Sequence, residues 1–423
     1  MITADVIVGG CFGDEGKGKL VAALCRDYDV VMRVNASTNA GHRVHDGTRA
    51  FVTRQLPSVF FPERTLLVIA PGALLNLPAL AEELQGRPDR DALRGKVKVA
   101  SSISLVLPPY IEKGQGGMST LLGSTHQGTG PSAVARAARH SLHLYDLRAP
   151  AEEVGPKIRR TCRETRPELD ASDRYCDELL AGQIDALRRV EEIAGDFCID
   201  YTAWLAAFDG RVLIEGCNGL LLDNLHGAHP HVTSTSTNLG AMLSGAHLPP
   251  ACARRAIVVI AAYASCLGKR PFPTELSSAE SEHFRTRCDE VDPAQGRPRR
   301  LGWLDLPGLR KSLSGCAGAE VHLNKLDVLS GLRTIRVCTR YAIDGREFTV
   351  MPDDPRLAAR AAPRYVELDG WNEPLADVRR FDDLPPAARR YVEFVARELA
   401  ARIASIGVGP RTADIIRTAA TLS

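Results

Sequence analysis

The chain has 423 residues, 44% hydrophobic and 25% charged, with a formal net charge of +2. That length suits two or three ordinary domains or one large α/β domain with insertions, and that charge supplies no global basic field of the kind that draws nucleic acid. No apolar run reaches the roughly 20 residues of a membrane span, and eleven cysteines at irregular spacing, without a Cys-x-x-Cys pair, argue against a disulfide framework or a zinc site.

The chain opens on an apolar run, Val6-Ile7-Val8, with no basic and apolar leader before it. A cytoplasmic protein with no membrane or nucleic-acid partner is expected. Next comes Gly9-Gly10-Cys11-Phe12-Gly13-Asp14-Glu15-Gly16-Lys17-Gly18-Lys19-Leu20, and a helix is predicted over Glu15 to Tyr28. Strand, glycines and lysines in that order build a phosphate cradle: glycine lets backbone approach the phosphates, and the helix aims its free N–H groups at them. The spacing Gly13-x-x-x-x-Gly18-Lys19 matches the start of the usual P-loop, but Leu20 stands where a magnesium-binding hydroxyl belongs. Asp14 can supply that oxygen instead.

Further strands are predicted at Val30-Val31-Met32, Leu66 to Ile69, Val97 to Val99, Val212 to Ile214, Ile257 to Ile260, Val321 to Leu323 and Thr334 to Val337. Helices are predicted at Pro78 to Leu84, Gln183 to Ala194 and Ala387 to Ile406. Short, fully apolar strands alternating with helices imply an α/β fold: a large, mostly parallel central sheet with helices on both faces, and smaller subdomains. The whole chain, 1–423, reads as one unit. The charged stretch 150–200 reads as a helical insertion, and 289–300 as an exposed substrate loop, since Pro and Gly break both periodicities.

The polar loops fall after these strands. Asn39-Ala40-Gly41-His42 emerges at the same sheet edge as the phosphate loop, where His42 can serve as acid or oxyanion stabiliser. Gly123 to Pro131, with Thr125, precedes a helix carrying Arg136 and Arg139; hydroxyls and arginines suit a second phosphate. Asn218 follows a strand, and Thr233 follows His226, His229 and His231, a trio that no carboxylate or cysteine completes as a zinc site. In Lys325-Leu326-Asp327 the carboxylate can pair with guanine N1–H and its amine while the lysine stem covers the ring.

These loops, in this order, resemble the adenylosuccinate synthetase family nearly end to end. The resemblance rests on Gly13 to Lys19, Asn39 to His42, Pro271 to Leu276, Gly296-Arg297-Pro298-Arg299-Arg300, Gly302-Trp303 and Lys325 to Asp327. It implies a homodimeric GTP-dependent ligase with one Mg²⁺ per subunit, joining L-aspartate to C6 of inosine monophosphate (IMP) through a 6-phosphoryl intermediate. Asp14 would be base and metal ligand, the Gly41 carbonyl a second ligand, and His42 the acid. Gly13, Glu15, Gly16, Lys17, Gly18, Gly41, His42, Arg299, Lys325, Leu326, Asp327, Gly407, Val408 and Gly409 would hold GTP. Asp14, Lys17, Asn39, Thr125, Asn218, Thr233 and Arg297 would hold the nucleoside monophosphate, with Arg139 reaching it from the neighbouring subunit. Pro293, Ala294, Gln295, Gly296, Arg297 and Arg299 would hold L-aspartate. The chain departs from the family at Cys11-Phe12, Ala36-Ser37-Thr38, Gln127, Asn218 (usually glutamine) and Pro293-Ala294-Gln295. Those changes face the acceptor and the amine, which leaves room for a specialised paralogue acting on a modified purine-like nucleotide or another acidic amine. A non-catalytic nucleotide-binding regulator is the third reading, and retention of Asp14 and His42 speaks against it.

Overall fold

The computed structural model describes residues 1–165, 173–288, 290–291 and 296–418. Ten strands form the central sheet: β1 (Thr3–Gly9), β2 (Val30–Arg33), β3 (Leu66–Ile69), β4 (Val97–Ala100), β5 (Cys198–Ile199), β6 (Arg211–Gly219), β7 (Ala253–Ala261), β8 (Glu320–Asn324), β9 (Ile403–Gly407) and β10 (Ile415–Arg417). Their spatial order is β10-β9-β8-β7-β1-β6-β2-β3-β4-β5. All neighbours pair in parallel except β9 with β10. Val30 to Arg33 are all buried, as are Leu67 to Ile69. A strand buried on both faces needs cover on both, and this is why these runs are continuously apolar rather than alternating.

Strand β1 lies at the middle, with β6 on one side and β7 on the other. The chain leaves β1 towards β2 on the β6 side and later fills the β7 side. Loops that leave the carboxyl ends around such a switch point open a crevice between them. The loops after β1, β2, β6, β8 and β9 all leave that edge.

Helix α1 (Lys17–Leu24) begins later than predicted, because Gly16 at its N-cap takes the left-handed conformation, φ 89°. It also ends earlier, passing into a 3₁₀ turn at Cys25–Asp27. Helix α2 (Leu77–Gln85) is capped by the Asn76 side chain, which accepts from Ala79 N–H. The predicted insertion is two helices, α3 (Ala151–Thr165) and α4 (Asp173–Ala194), with residues 166–172 outside the described set. Its far end is no insertion: Cys198–Ile199 is the edge strand β5. The helix predicted to Ile406 stops at Leu399, as α5 (Pro386–Leu399), with Ala400 left-handed at φ 47°. Ile403 and Ile406 are fully buried in β9 instead, so sheet burial overrode helical propensity.

Thr334 to Val337 belongs to a separate sheet, in which Thr334–Ile343 pairs with Leu304–Asp305, Arg346–Phe348 and Ala362–Asp369. The stretch predicted as an exposed loop over 289–300 is partly interior. Glu290 and Arg299 are buried, and Val291 bridges to Pro298. Among the described residues no helix is long and apolar enough to cross a membrane.

Candidate active site

The phosphate loop carries its own brace. The buried Glu15 carboxylate accepts the N–H groups of Cys11 (2.7 Å) and Gly13 (2.9 Å). It pairs with Lys17 Nζ at 3.1 Å, and that ammonium also donates to the Gly13 carbonyl at 3.0 Å. A Cβ on Gly16 would sit 2.1 Å from Asn324 Nδ2, so the loop and the end of β8 approach as only glycine permits.

Lys19 does not follow the P-loop analogy. Its ammonium donates to Asn324 Oδ1 (2.9 Å) and the Gly409 carbonyl (2.7 Å), and burial pulls it down to about 8. Asn324 Nδ2 in turn donates to the Glu15 carbonyl at 2.8 Å. Leu20, at the position of the missing hydroxyl, is a core residue.

His42 begins the hairpin strand His42–His45, and its Nδ1 pairs with Glu215 of β6. Glu215 also accepts the Ser58 N–H (2.7 Å) and the Ser58 hydroxyl (2.5 Å). Arg33 is its register neighbour on β2. Burial pushes the Glu215 carboxyl up, but His42, Arg33 and Ser58 outweigh that and hold it below the ordinary value. Burial pulls the His42 imidazole down to about 4, against Glu215 and with help from Arg33. At neutral pH the ring is therefore uncharged, with Nδ1–H on Glu215. Its Nε2 is buried without a partner among the described residues.

Two clefts meet here. One, of about 220 Å³, is lined by Asn39, Thr125, Asn218, Thr233 and Arg297. The other, of about 400 Å³, is lined by Lys17, Lys19, Glu290, Lys325, Asp327 and Gly409. Gly13, Asp14, Gly41, His42 and Arg299 line both. Asp14 and Arg299 form an ion pair at this junction. Burial lowers the Arg299 guanidinium to about 9. In the second cleft, Lys325 is left-handed at φ 61°, which turns the chain out of β8 and into Leu326–Leu329. Burial raises the Asp327 carboxyl, while Lys19 and Lys325 oppose the rise.

The family model for adenylosuccinate synthetase matches residues 6–416.

The chain belongs to the adenylosuccinate synthetase family. It is 33% identical to the adenylosuccinate synthetase of Salinibacter ruber and 34% identical to that of Coprinopsis cinerea, with 97% of each chain covered in both cases. The fully ligated adenylosuccinate synthetase of Plasmodium falciparum superposes with a TM-score of 0.89 at 26% identity, over 98% of this chain and 99% of that one. A cyanophage S-2L succinoaminodeoxyadenylate synthetase shares the fold, with a TM-score of 0.61 at 19% identity, over 99% of this chain and 95% of that one. As a member of the adenylosuccinate synthetase family, the protein is a carbon–nitrogen ligase.

The remaining predicted residues divide by placement. Gly16 and Gly18 line the second cleft, but Leu326 and Val408 are core residues, and Gly407 packs on Asn324. Gly296 is exposed and lines neither cleft. Pro293, Ala294 and Gln295 lie outside the described residues. Arg139 is exposed, left-handed at φ 63°, and lines neither cleft. Asn218 is also left-handed, φ 62°, and its buried Nδ2 has no partner among the described residues. Asparagine tolerates that conformation better than most residues.

Among the described residues no three His, Cys, Asp or Glu side chains gather to hold a metal; His229 contacts the Asn224 carbonyl instead (2.6 Å). Asp14 and Gly41 both line the junction, and a carboxylate with a backbone carbonyl offers hard oxygens. That donor set fits Mg²⁺, which takes one or two protein oxygens and fills the rest from phosphates and water. Sequence reasoning gave no role to Glu215, Ser58, Lys19 or Glu290. The signal for Glu215 was there: a carboxylate closing the apolar run Val212-Leu213-Ile214 must find a buried partner.

Proposed function

We propose that this chain makes adenylosuccinate from GTP, IMP and L-aspartate, with GDP and phosphate as the other products. The meeting of two clefts at Asp14 and His42 carries the reading: one cleft would hold GTP, the other IMP, and the γ-phosphate would lie against the 6-oxygen between them. Asp14 takes the N1 proton of hypoxanthine, and the 6-oxygen attacks the γ-phosphorus as GDP departs. The aspartate amine then displaces phosphate at C6. His42 Nε2 holds the phosphoryl oxygens. The phosphate charge favours the imidazolium, with Glu215 supporting the new charge on the other nitrogen. Lys17 and Arg299 neutralise phosphate charge, and Arg297 with Arg299 faces the carboxylates of the amine donor. Mg²⁺, held by Asp14 and the Gly41 carbonyl, would neutralise charge on the phosphates.

Arg139, exposed and lining neither cleft of its own chain, would complete the partner's monophosphate site in a homodimer. Nothing in the comparisons favours the specialised paralogue or the idle regulator. The test is phosphate release with GTP, IMP, L-aspartate and Mg²⁺, each omitted in turn. Release should need all four; release that ignores IMP or L-aspartate defeats the reading. Mixing inactive Arg139→Leu chains with inactive Asp14→Ala chains should restore some activity. No recovery after proven subunit exchange would remove Arg139 from the shared site.

A further inference from the structure

Glu290 has no role in the reaction just described, yet it is buried at 7% exposure in the wall of the nucleotide cleft. Three groups converge on its carboxylate. Lys325 Nζ forms an ion pair with it, and the Tyr263 hydroxyl donates to it. Arg299 Nε lies 3.7 Å away. The backbone is tied too, since Arg299 N–H donates to the Glu290 carbonyl at 2.9 Å. The Lys325 ammonium also stands over the Tyr263 ring, 5.4 Å from its centre. A buried carboxylate needs such partners to stay charged. Here two of the partners, Lys325 and Arg299, are themselves cleft residues.

Resting on the reading above, we propose that Glu290 is a positioning residue that couples the guanine end of the site to the phosphate and amine-donor end. Through Lys325 it fixes the side chain whose stem covers the base. Through Arg299 it holds a guanidinium that otherwise pairs only with Asp14 among the described carboxylates. When Asp14 turns to the substrate's N1 proton, Arg299 loses that partner and keeps Glu290. The guanidinium then stays at the junction instead of following Asp14 or swinging to solvent.

The test compares Glu290→Gln and Glu290→Asp with wild type, using GDP titration calorimetry and steady-state KM values. For Glu290→Gln, the GDP Kd and the KM for L-aspartate should both rise about tenfold, as expected for loss of hydrogen bonds to a charged group. The KM for IMP should stay within twofold. Glu290→Asp should recover part of both losses. Lys325→Met should weaken GDP binding, and adding Glu290→Gln to it should weaken GDP no further, because the two act as one unit.

GDP affinity and L-aspartate KM both within twofold of wild type in Glu290→Gln would overturn the proposal. So would a KM for IMP that rises in step with the other two, the mark of general disruption. If Glu290→Gln fails to fold, Glu290→Asp decides by the same readings. A wild type that binds GDP but releases no phosphate with IMP and L-aspartate defeats the functional reading alone, and the titrations still judge Glu290.

Discussion

The two clefts are built differently. Around the nucleotide cleft the polar side chains already hold one another: Lys17 with Glu15, Lys19 with Asn324 and the Gly409 carbonyl, Lys325 with Glu290. The acceptor cleft keeps buried polar atoms without partners among the described residues, at Asn218 Nδ2, Thr129 Oγ1 and His231 Nδ1. Leaving a buried donor or acceptor unpaired costs about 1–3 kcal/mol. A ligand that satisfies such atoms recovers that cost, so the acceptor cleft is poised for a polar guest. The nucleotide cleft is pre-organised, and its specificity rests on geometry held in place before the ligand arrives. Substitutions in the first should therefore disturb position, and substitutions in the second should remove direct contacts.

The junction residues should show the largest effects, since they serve both halves. Asp14→Ala should abolish turnover, and His42→Asn should lose about 10²–10⁴-fold in kcat. Glu215→Gln should cost about 10²-fold in kcat, because it keeps a partner for Nδ1 but removes the charge that supports an imidazolium. Single-turnover phosphoryl transfer measures all three; an unchanged rate in Asp14→Ala would sink the assignment.

In the nucleotide half, Asp327→Asn should lower kcat/KM for GTP by about two powers of ten and narrow its lead over ATP. Adenine offers an acceptor at N1 where guanine offers a donor, and a site built around a hydrogen bond rejects the mismatch strongly. Equal kcat/KM for the two triphosphates in the wild type would erase the pre-organised half of the comparison.

In the acceptor half, Asn218→Ala should raise the KM for IMP by about two- to tenfold, the worth of one neutral hydrogen bond. It should leave the KM for GTP alone. A change in both would mean the halves are not separable at β6.

The smallest effect is on stability against pH. His42 and His322 are held at about 4 and about 3, chiefly by burial, against an ordinary 6.5. As pH falls below 6.5 the unfolded chain takes protons that the folded chain refuses, so stability drops from there towards pH 4 and 3. Glu215 adds to the loss below its ordinary 4.5, because its folded carboxyl stays ionised longer. Asp305, raised by burial to about 6, works the other way between 6 and 3.8. Tm should fall between pH 7 and 5, and His322→Gln should narrow the fall. A Tm that rises over that range would contradict the burial argument.

Much of the site could be read from the chain because its backbone-shaping residues are local. The phosphate loop is one stretch, Gly9 to Lys19, and its glycines and acids announce themselves. Lys19 shows the limit. Its spacing matches the P-loop lysine, but the partners that claim it, Asn324 and Gly409, are some 300 and 400 residues away in sequence. The departure at Asn218 is explained only in part by local geometry: a left-handed residue at the end of β6 suits asparagine, and nothing in the structure explains Cys11-Phe12 in place of the usual pair.

By itself the sequence determined the class of fold, the presence of a phosphate loop at the first strand, and the loops that share its sheet edge. Apolar runs, glycines and helix signals act over a few residues, and they survive in any context that lets a core form. Tertiary structure alone decided which polar groups pair. It set Glu215 behind His42, tied Lys19 to the C-terminal loop, placed Glu290 between Lys325 and Arg299, and drew Ile403 and Ile406 into a strand. Those choices turn on burial, because a charge removed from water must find an opposite charge or a hydrogen bond, and strand order determines which one is near.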